Sequence, residues 1–315
     1  AALCTRYTLR RMSAHPPKHS RAASFAYIVL AYVVAIAAAY GTVVYFPLES
    51  PLYTAFLADF VATCAVFGFS VAFSNSSFYD AYWSVIPPLI GVYFWTHAAP
   101  DAELTRQALC LGLCTLWAVR LTYNWAVGWT GLHHEDWRYV DIKAKTGKLY
   151  WPASFAGIHM FPTVEVFLAC LPMWPAMTSN TPLSWIDGVA TVVTLVAILI
   201  EAVADEQLRA FGKTRKPGQL IQTGLWRYSR HPNYFGELTF WWGIFLFGFA
   251  ASPADWSWTI VGTALITLMF FFISVPMMEQ RQLAKHPHFQ QVIASTSMLI
   301  PWFHRGGSAS PSPSE

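Results

Sequence analysis

Long apolar runs alternate with short polar segments through most of the chain. A helix that crosses a hydrocarbon core of ~30 Å needs roughly 20 apolar residues. Eight runs reach or approach that length, and they lie at residues 24–46, 52–73, 82–98, 107–127, 153–175, 183–204, 234–251 and 256–275. The pattern predicts an all-α, polytopic transmembrane helical bundle of about eight spans.

Prolines and short lengths mark some of these predicted spans as irregular. Pro87, Pro88 and Pro162 are expected to kink their helices, because proline has no N–H and its ring clashes with the preceding turn. Short or broken spans occur where they face protein or a cavity instead of lipid. These spans are therefore the first indication of where a site lies.

The basic residues give the spans an orientation. With eight spans, eighteen of the twenty Lys and Arg residues fall on one face of the membrane. Arg106 falls on the opposite face, and Arg120 lies within the fourth span. Since positive loops stay on the cytosolic side, we expect both termini to be cytosolic. The opposite face keeps only short connections, so a polar ligand is expected to bind from the cytosolic side.

Composition supports the same class and excludes others. The chain is 55% hydrophobic and 12% charged, whereas a soluble domain carries about 25% charged residues. A net charge of +3 gives no indication of nucleic-acid binding. The five cysteines form no C-x-x-C pair and no cluster with histidine, so neither a disulfide framework nor a zinc site is predicted.

Three segments are predicted along the chain. Residues 1–23 hold five basic residues and no acid, which is typical of a cytosolic basic arm beside the first span or of a targeting presequence; we interpret them as the basic arm. Residues 24–303 are interpreted as one helical membrane domain. Residues 304–315 are rich in Ser, Pro and Gly and are predicted to be disordered.

The densest polar segment covers residues 201–237. Arg215 and Arg230 are suited to phosphate oxygens, because guanidinium groups form forked hydrogen bonds with them. Pro232 suits the first turn of a helix, whose free N–H groups favour an anion. Asp205 and Glu237 are acceptors for ribose hydroxyls or an amide. The segment therefore favours an anionic cofactor, although cytosolic loops and span ends also carry charge for solvation alone.

Other polar residues leave alternatives open. Asp80 lies at the expected cytosolic end of the third span. The run His133–Asp136 is a poor metal cage, because adjacent loop residues do not surround an ion. Asp136 and Arg138 form either a structural ion pair or a cofactor clamp.

Glu165 lies in mid-membrane and is either a substrate contact or part of a helix–helix hydrogen bond. Asp59 and His97 are interpreted as packing residues.

Residues 224–237, GLWRYSRHPNYFGE, are similar to a segment of the steroid 5α-reductase superfamily. The closer resemblance is to its branch of uncharacterised steroid-reductase-like membrane proteins, which share patterns like YDxYWS at 79–84, DWRY at 136–139 and IPW at 300–302. The Arg-His-Pro-x-Tyr-x-Gly core alone also resembles sterol reductases and isoprenylcysteine carboxyl methyltransferases.

The resemblance implies a membrane reductase that binds NADPH on the cytosolic side and reduces a lipid α,β-unsaturated carbonyl. It implies cofactor contacts at Glu201, Asp205, Arg215, Arg230, His231, Asn233, Tyr234, Glu237 and Glu279. The family's catalytic Glu corresponds to Asp80, and its catalytic Tyr corresponds to Trp117. Indole cannot release a proton as phenol can, so Tyr79, Tyr82 or Tyr123 is an alternative acid.

Two other functions remain open from the sequence. One is an S-adenosylmethionine-dependent methyltransferase acting on a lipid or a prenyl-cysteine carboxyl group, although the basic loop favours the polyanionic NADPH. The other is a transporter or a lipid-binding protein, although no duplicated halves are visible. The expected location is the endoplasmic reticulum of a eukaryote or the inner membrane of a bacterium, with a lipid-soluble substrate as partner.

Overall fold

The structure is a computed structural model that describes residues 19–303. Residues 1–18 of the predicted basic arm and the predicted tail, 304–315, lie outside the described residues. Between residues 19 and 303 the chain forms helices and loops and no strand; a single isolated bridge joins Ser229 and Ser297. The all-α prediction is confirmed.

Thirteen α-helices are described along residues 19–303, and every predicted apolar run lies mostly within helix. They are α1 Arg21–Tyr45, α2 Pro51–Ala72, α3 Tyr82–Trp95, α4 Leu104–Gly128, α5 Trp137–Thr146, α6 Tyr150–Ser154, α7 Phe161–Cys170, α8 Met173–Thr178, α9 Trp185–Thr214, α10 Pro232–Ala251, α11 Trp256–Met269, α12 Val275–Lys285 and α13 Phe289–Ser295.

Helical segments long and apolar enough to cross a membrane number five among the described residues. They are Arg21–Tyr45, Pro51–Ala72, Trp137–Cys170, Trp185–Thr214 and Pro253–Lys285. Exposed Val, Leu and Ile side chains along α1 and α9 fit contact with lipid, since a water-facing helix normally has a polar stripe. The fold therefore fits an integral membrane protein.

Two π-helical stretches interrupt the long helices, at Phe155–Met160 and Phe270–Ser274. Each precedes a proline, Pro162 or Pro276, by one residue. Proline displaces the carbonyl four residues before it, and in both cases that carbonyl belongs to the π stretch. A π turn accommodates the displaced carbonyl and commonly occurs at functional sites.

The described chain divides into two compact units. The first comprises residues 19–191 and Gly243–Thr263, and the second comprises Val192–Trp242 and residues 264–303. In the first unit α11 approaches α7 so closely that a Cβ on Gly262 would lie 2.0 Å from the backbone of Leu168 and Ala169. That contact requires glycine.

A buried ion pair connects the start of α4 to the start of α9 in the first unit. Arg106, with no exposed surface, donates from Nε to Asp187 Oδ1 at 2.7 Å and from Nη2 to Oδ2 at 3.0 Å. It also donates to the carbonyls of Thr181 and Pro182. Because the charge is paired and several of its N–H groups are bonded, the pair holds the connection before α9 in place.

Candidate functional site

Polar side chains predicted to form the site occur in both units, and each group has its own geometry. In the first unit, the 3₁₀ turn Ser76–Tyr79 is capped by Asn75, whose Oδ1 accepts from the Ser77 N–H at 2.8 Å. Its Nδ2 donates to the carbonyls of Leu132 and His134 at 2.8 and 3.1 Å. The cap therefore joins the loop before α3 to the loop before α5.

Asp80 follows that turn and accepts a hydrogen bond from the Tyr139 hydroxyl at 2.9 Å. Burial, followed by the negative charge of Asp136, raises the pKa of Asp80 to about 7, and hydrogen bonds from Ser77 and Tyr139 partly oppose the rise. Arg138 donates two hydrogen bonds to the Asp136 carboxylate, from Nε to Oδ1 at 2.8 Å and from Nη2 to Oδ2 at 3.2 Å. Burial acts to raise the pKa of Asp136, but the Arg138 charge and its hydrogen bonds outweigh burial and lower it.

A chain of hydroxyl groups extends from this loop into the helices. Glu135 accepts from the Ser76 N–H at 2.8 Å and from the Tyr150 hydroxyl at 3.1 Å. The Ser76 hydroxyl lies 2.7 Å from the Tyr150 hydroxyl and 2.8 Å from the Ser154 hydroxyl. His159 Nδ1 donates to the Ser154 carbonyl at 3.0 Å. Buried polar groups are satisfied along this chain, as stability in an apolar setting requires.

Two more hydroxyl contacts lie between α2, the Ser76–Tyr79 turn and α7. The Tyr79 hydroxyl is 2.8 Å from Thr163 Oγ1, which is 2.9 Å from Thr63 Oγ1. The Tyr82 hydroxyl donates to Asp59 Oδ1 at 3.1 Å. The sequence alone indicated a packing role for Asp59 and did not reveal its tyrosine partner. The aromatic motif at 79–84, which contains Tyr82, is the one sequence signal from which that partner could have been found.

The remaining candidates of the first unit lie in the interior. Trp117 has no exposed surface, and its ring packs edge to face on Trp83 with centroids 5.9 Å apart. Glu165 is 5% exposed. Tyr79 and Asp80 are adjacent in sequence but have different partners, Thr163 and Tyr139.

In the second unit, α9 and α10 bring together acids and an amide that are distant in sequence. Asn233 Nδ2 donates to Asp205 Oδ1 at 3.3 Å. Glu201, one turn before Asp205 on α9, is buried, and its Cγ would lie 2.9 Å from a Cβ on Gly236. Glu237 is buried and accepts from Trp241 Nε1 at 2.8 Å. Gly236 therefore allows α10 to approach the acidic face of α9.

A second cluster in this unit lies just before α10. Glu279 accepts from Arg230 Nε at 2.7 Å and lies 3.1 Å from His231 Nε2. Arg230 Nη1 also donates to the carbonyls of Ile293 and Thr296. The His231 ring stacks on Tyr234 at 5.3 Å. Arg230 is thus a clamp between the start of α10 and the C-terminal segment, a pairing that sequence reasoning missed.

Arg215 follows the end of α9 and is half-buried. Burial and the neighbouring charges of His288, Arg215 and Lys285 lower the pKa of His286. A positive region therefore surrounds the end of α9. Among residues 19–303 no three His, Cys, Asp or Glu side chains are placed to hold a metal ion.

The fold defines an all-helical protein with apolar helices of membrane-crossing length. Residues 66–296 match the family described as a protein of unknown function, DUF1295, and the chain belongs to this family. An uncharacterised protein of Schizosaccharomyces pombe is 27% identical over 236 residues, which cover 67% of this chain and 68% of that protein. No solved structure matches the chain significantly.

Proposed function

We propose that the chain is a membrane-embedded reductase that uses NADPH to saturate a carbon–carbon double bond conjugated to a carbonyl in a lipid or steroid-like substrate. The motif at 224–237 supports this, as does the association of the family with steroid 5α-reductase-like proteins. The proposal adds an activity and a cofactor to a family of unknown function.

The observation that carries the proposal is the contact between Asn233 and Asp205 at 3.3 Å. It joins two residues that the resemblance assigns to the cofactor from separate helices of one unit. Buried Glu201 lies one turn from Asp205. Carboxylates and an amide in this arrangement suit ribose hydroxyls and the nicotinamide carboxamide, because they supply both acceptors and donors.

Phosphate binding requires cations, and the second unit offers them unequally. Arg230 has three partners, Glu279 and the carbonyls of Ile293 and Thr296, so it contributes chiefly by holding the start of α10. Arg215, with the basic residues around it, is the better phosphate candidate. The free N–H groups at the start of α10 add partial positive charge.

NADPH would supply a hydride when bound, and the reaction would also consume one proton. Reduction of an enone would place negative charge on its carbonyl oxygen, which a positioned donor must stabilise. Asp80, with a pKa of about 7, is protonated for a large part of the time at neutral pH. It donates this hydrogen bond and then its proton. Tyr79 is the alternative donor.

The proposed topology has eight spans with both termini cytosolic. The distribution of Lys and Arg supports it, and each of the eight apolar runs lies mostly in helix. In this topology the segment 205–233 is cytosolic, where NADPH is available.

NADPH oxidation by the full chain in detergent, measured against a panel of lipid enones, tests the function. We expect oxidation only in the presence of an enone, with one substrate double bond reduced for each NADPH consumed. Oxidation that is independent of enone, or its absence with sterol, polyprenyl and fatty-acyl enones alike, contradicts the proposal.

The second candidate is a methyltransferase using S-adenosylmethionine. The buried carboxylates Glu201, Asp205 and Glu237 favour it, because the methyl donor carries a cationic sulfonium and an ammonium group. Binding of NADPH and of S-adenosylmethionine to the same purified protein distinguishes the two functions.

A further inference from the structure

Glu165 is a buried carboxyl for which the described residues provide no hydrogen bond. It lies in α7, three residues after Pro162, and is 5% exposed. No salt bridge to Glu165 is present among residues 19–303. The helix–helix hydrogen bond that the sequence left open is therefore not formed within residues 19–303.

Asp59 in α2 provides the comparison within the same unit. It is also 5% exposed, and it accepts a hydrogen bond from the Tyr82 hydroxyl at 3.1 Å. Buried polar side chains normally have such a partner. Glu165 has no such partner among residues 19–303, so a buried acid at this position of an apolar helix needs another explanation.

The neighbouring hydroxyl groups do not supply the missing partner. Thr163, two residues before Glu165, is bonded to Tyr79 and Thr63. Residues two apart on an α-helix point to nearly opposite sides. Glu165 is therefore directed away from this hydroxyl cluster. The π stretch Phe155–Met160 before Pro162 also sets the direction in which Glu165 points.

The charge of the site limits which ligand fits. An ionised carboxylate without a cation is strongly disfavoured in a hydrocarbon setting. The neutral acid has one O–H donor and acceptor oxygens. Its natural partner is an uncharged oxygen, either a hydroxyl, which both donates and accepts, or a carbonyl, which accepts.

We propose that Glu165 binds the uncharged oxygen group, a hydroxyl or a carbonyl, of a lipid held within the helices of the first unit. The inference rests on the proposed function in naming this lipid as the substrate, but the binding itself requires no reductase activity. It deepens that function by assigning the residue that recognises the polar end of the substrate.

Two matched ligand series test the inference with purified full chain in nanodiscs: cholestanol, cholestanone and cholestane, and farnesol, farnesal and farnesene. We expect an oxygen-bearing member of at least one series to bind at least tenfold more tightly than its hydrocarbon. Glu165→Leu should abolish that preference, and Glu165→Gln should retain part of it.

Equal binding within both series, or an unchanged preference in Glu165→Leu, overturns the inference. Tightest binding by farnesylamine would overturn the assignment of an uncharged group.

Thermal unfolding without added ligand separates binding from a structural role. Glu165→Leu should unfold at the same or a higher temperature than the unaltered protein, because it removes an unsatisfied buried carboxyl. The matched control Asp59→Leu should unfold at a lower temperature, because it leaves Tyr82 without its acceptor. A lower unfolding temperature for Glu165→Leu than for the unaltered protein contradicts the inference.

The reductase function and the lipid site at Glu165 can be refuted separately. Oxygen-selective lipid binding that depends on Glu165, without NADPH oxidation, refutes the reductase and keeps this site. Enone-dependent NADPH oxidation in a protein whose lipid selectivity is unaffected by Glu165→Leu refutes this site and keeps the reductase.

Discussion

The side-chain amide of Asn233 donates a hydrogen bond to the Asp205 carboxylate at 3.3 Å, between α10 and α9. If both groups bind the nucleotide, Asn233→Ala should weaken NADPH binding at least tenfold, about 1.4 kcal/mol, with little change in unfolding temperature. Isothermal titration calorimetry measures the affinity.

The exposed contact between Asn180 and Asp101, at 2.8 Å, is the matched control. Asn180→Ala removes an Asn–Asp hydrogen bond of the same type from a loop of the first unit. It should leave NADPH affinity unchanged. Equal losses of affinity in both variants would argue against a cofactor role for Asn233.

The pKa of Asp80, raised to about 7 by burial and by Asp136, predicts how turnover depends on pH. If the neutral acid donates the proton, kcat should fall about tenfold per pH unit above pH ~7. Tyr139→Phe removes a hydrogen bond that lowers this pKa, so the fall should move to higher pH. Asp80→Asn should abolish turnover and preserve NADPH binding; a pH profile unchanged by Tyr139→Phe would remove Asp80 from the reaction.

The raised pKa of Asp80 also predicts that the stability of the folded protein falls as pH rises. An unfolded Asp has a pKa of about 3.9, whereas the folded value is about 7. Between these values the folded protein binds more protons than the unfolded chain, so this contribution to stability falls as pH rises from ~4 to ~7. Chemical denaturation of the unaltered protein and Asp80→Asn should show a smaller fall over this range in the variant.

The buried pair of Arg106 and Asp187 predicts a large loss of stability without loss of chemistry. Arg106→Ala leaves Asp187 buried without its cation, which costs about 3–5 kcal/mol, so the unfolding temperature should drop by many degrees. The folded fraction should keep its NADPH affinity. As control, Glu206→Ala removes the exposed partner of Arg209 and should change stability by less than ~1 kcal/mol.

Close packing at Gly236 predicts that even one methyl group is harmful there. In Gly236→Ala the Cβ would lie 2.9 Å from the Ala197 carbonyl oxygen and from Glu201 Cγ. Displacing α10 from α9 should cost about 1–3 kcal/mol and weaken NADPH binding. Gly188→Ala, where nothing lies within 4 Å, should be neutral or stabilising, because alanine favours helix. Both are measured by thermal unfolding and calorimetry.

Local patterns were sufficient to predict the long apolar helices but not the short ones, such as α5 and α13. The eight apolar runs and the interruption at Pro162 follow from hydropathy and from the missing N–H of proline, both of which are visible in a short window. The DUF1295 match covers the motif at 224–237, from which the resemblance was drawn, while the cofactor and the activity stay predictions.

Long-range pairings were not predictable in the same way. Arg230 and Glu279 are 49 residues apart, and Asp59 lies 23 residues from Tyr82. A single sequence shows each acid alone, since tertiary packing decides which donor faces it. The hydrogen bonds of Glu135 were missed for the same reason. Glu165 is the reverse case, because the sequence allowed a partner that the described helices do not supply.

The two π stretches share a feature with consequences for how this chain tolerates insertions and deletions. After each stretch comes one residue and then the sequence Pro-x-x-Glu, which ends at Glu165 in the first unit and at Glu279 in the second. A π turn behaves as an α-helix with one residue inserted, and one residue rotates everything downstream by about 100°. Deleting a single residue from Phe155–Met160 would thus turn Glu165 onto a different side of its helix, although Glu165 itself is not substituted. The direction in which each of the two acids points therefore depends on the number of residues in the π stretch as well as on residue identity.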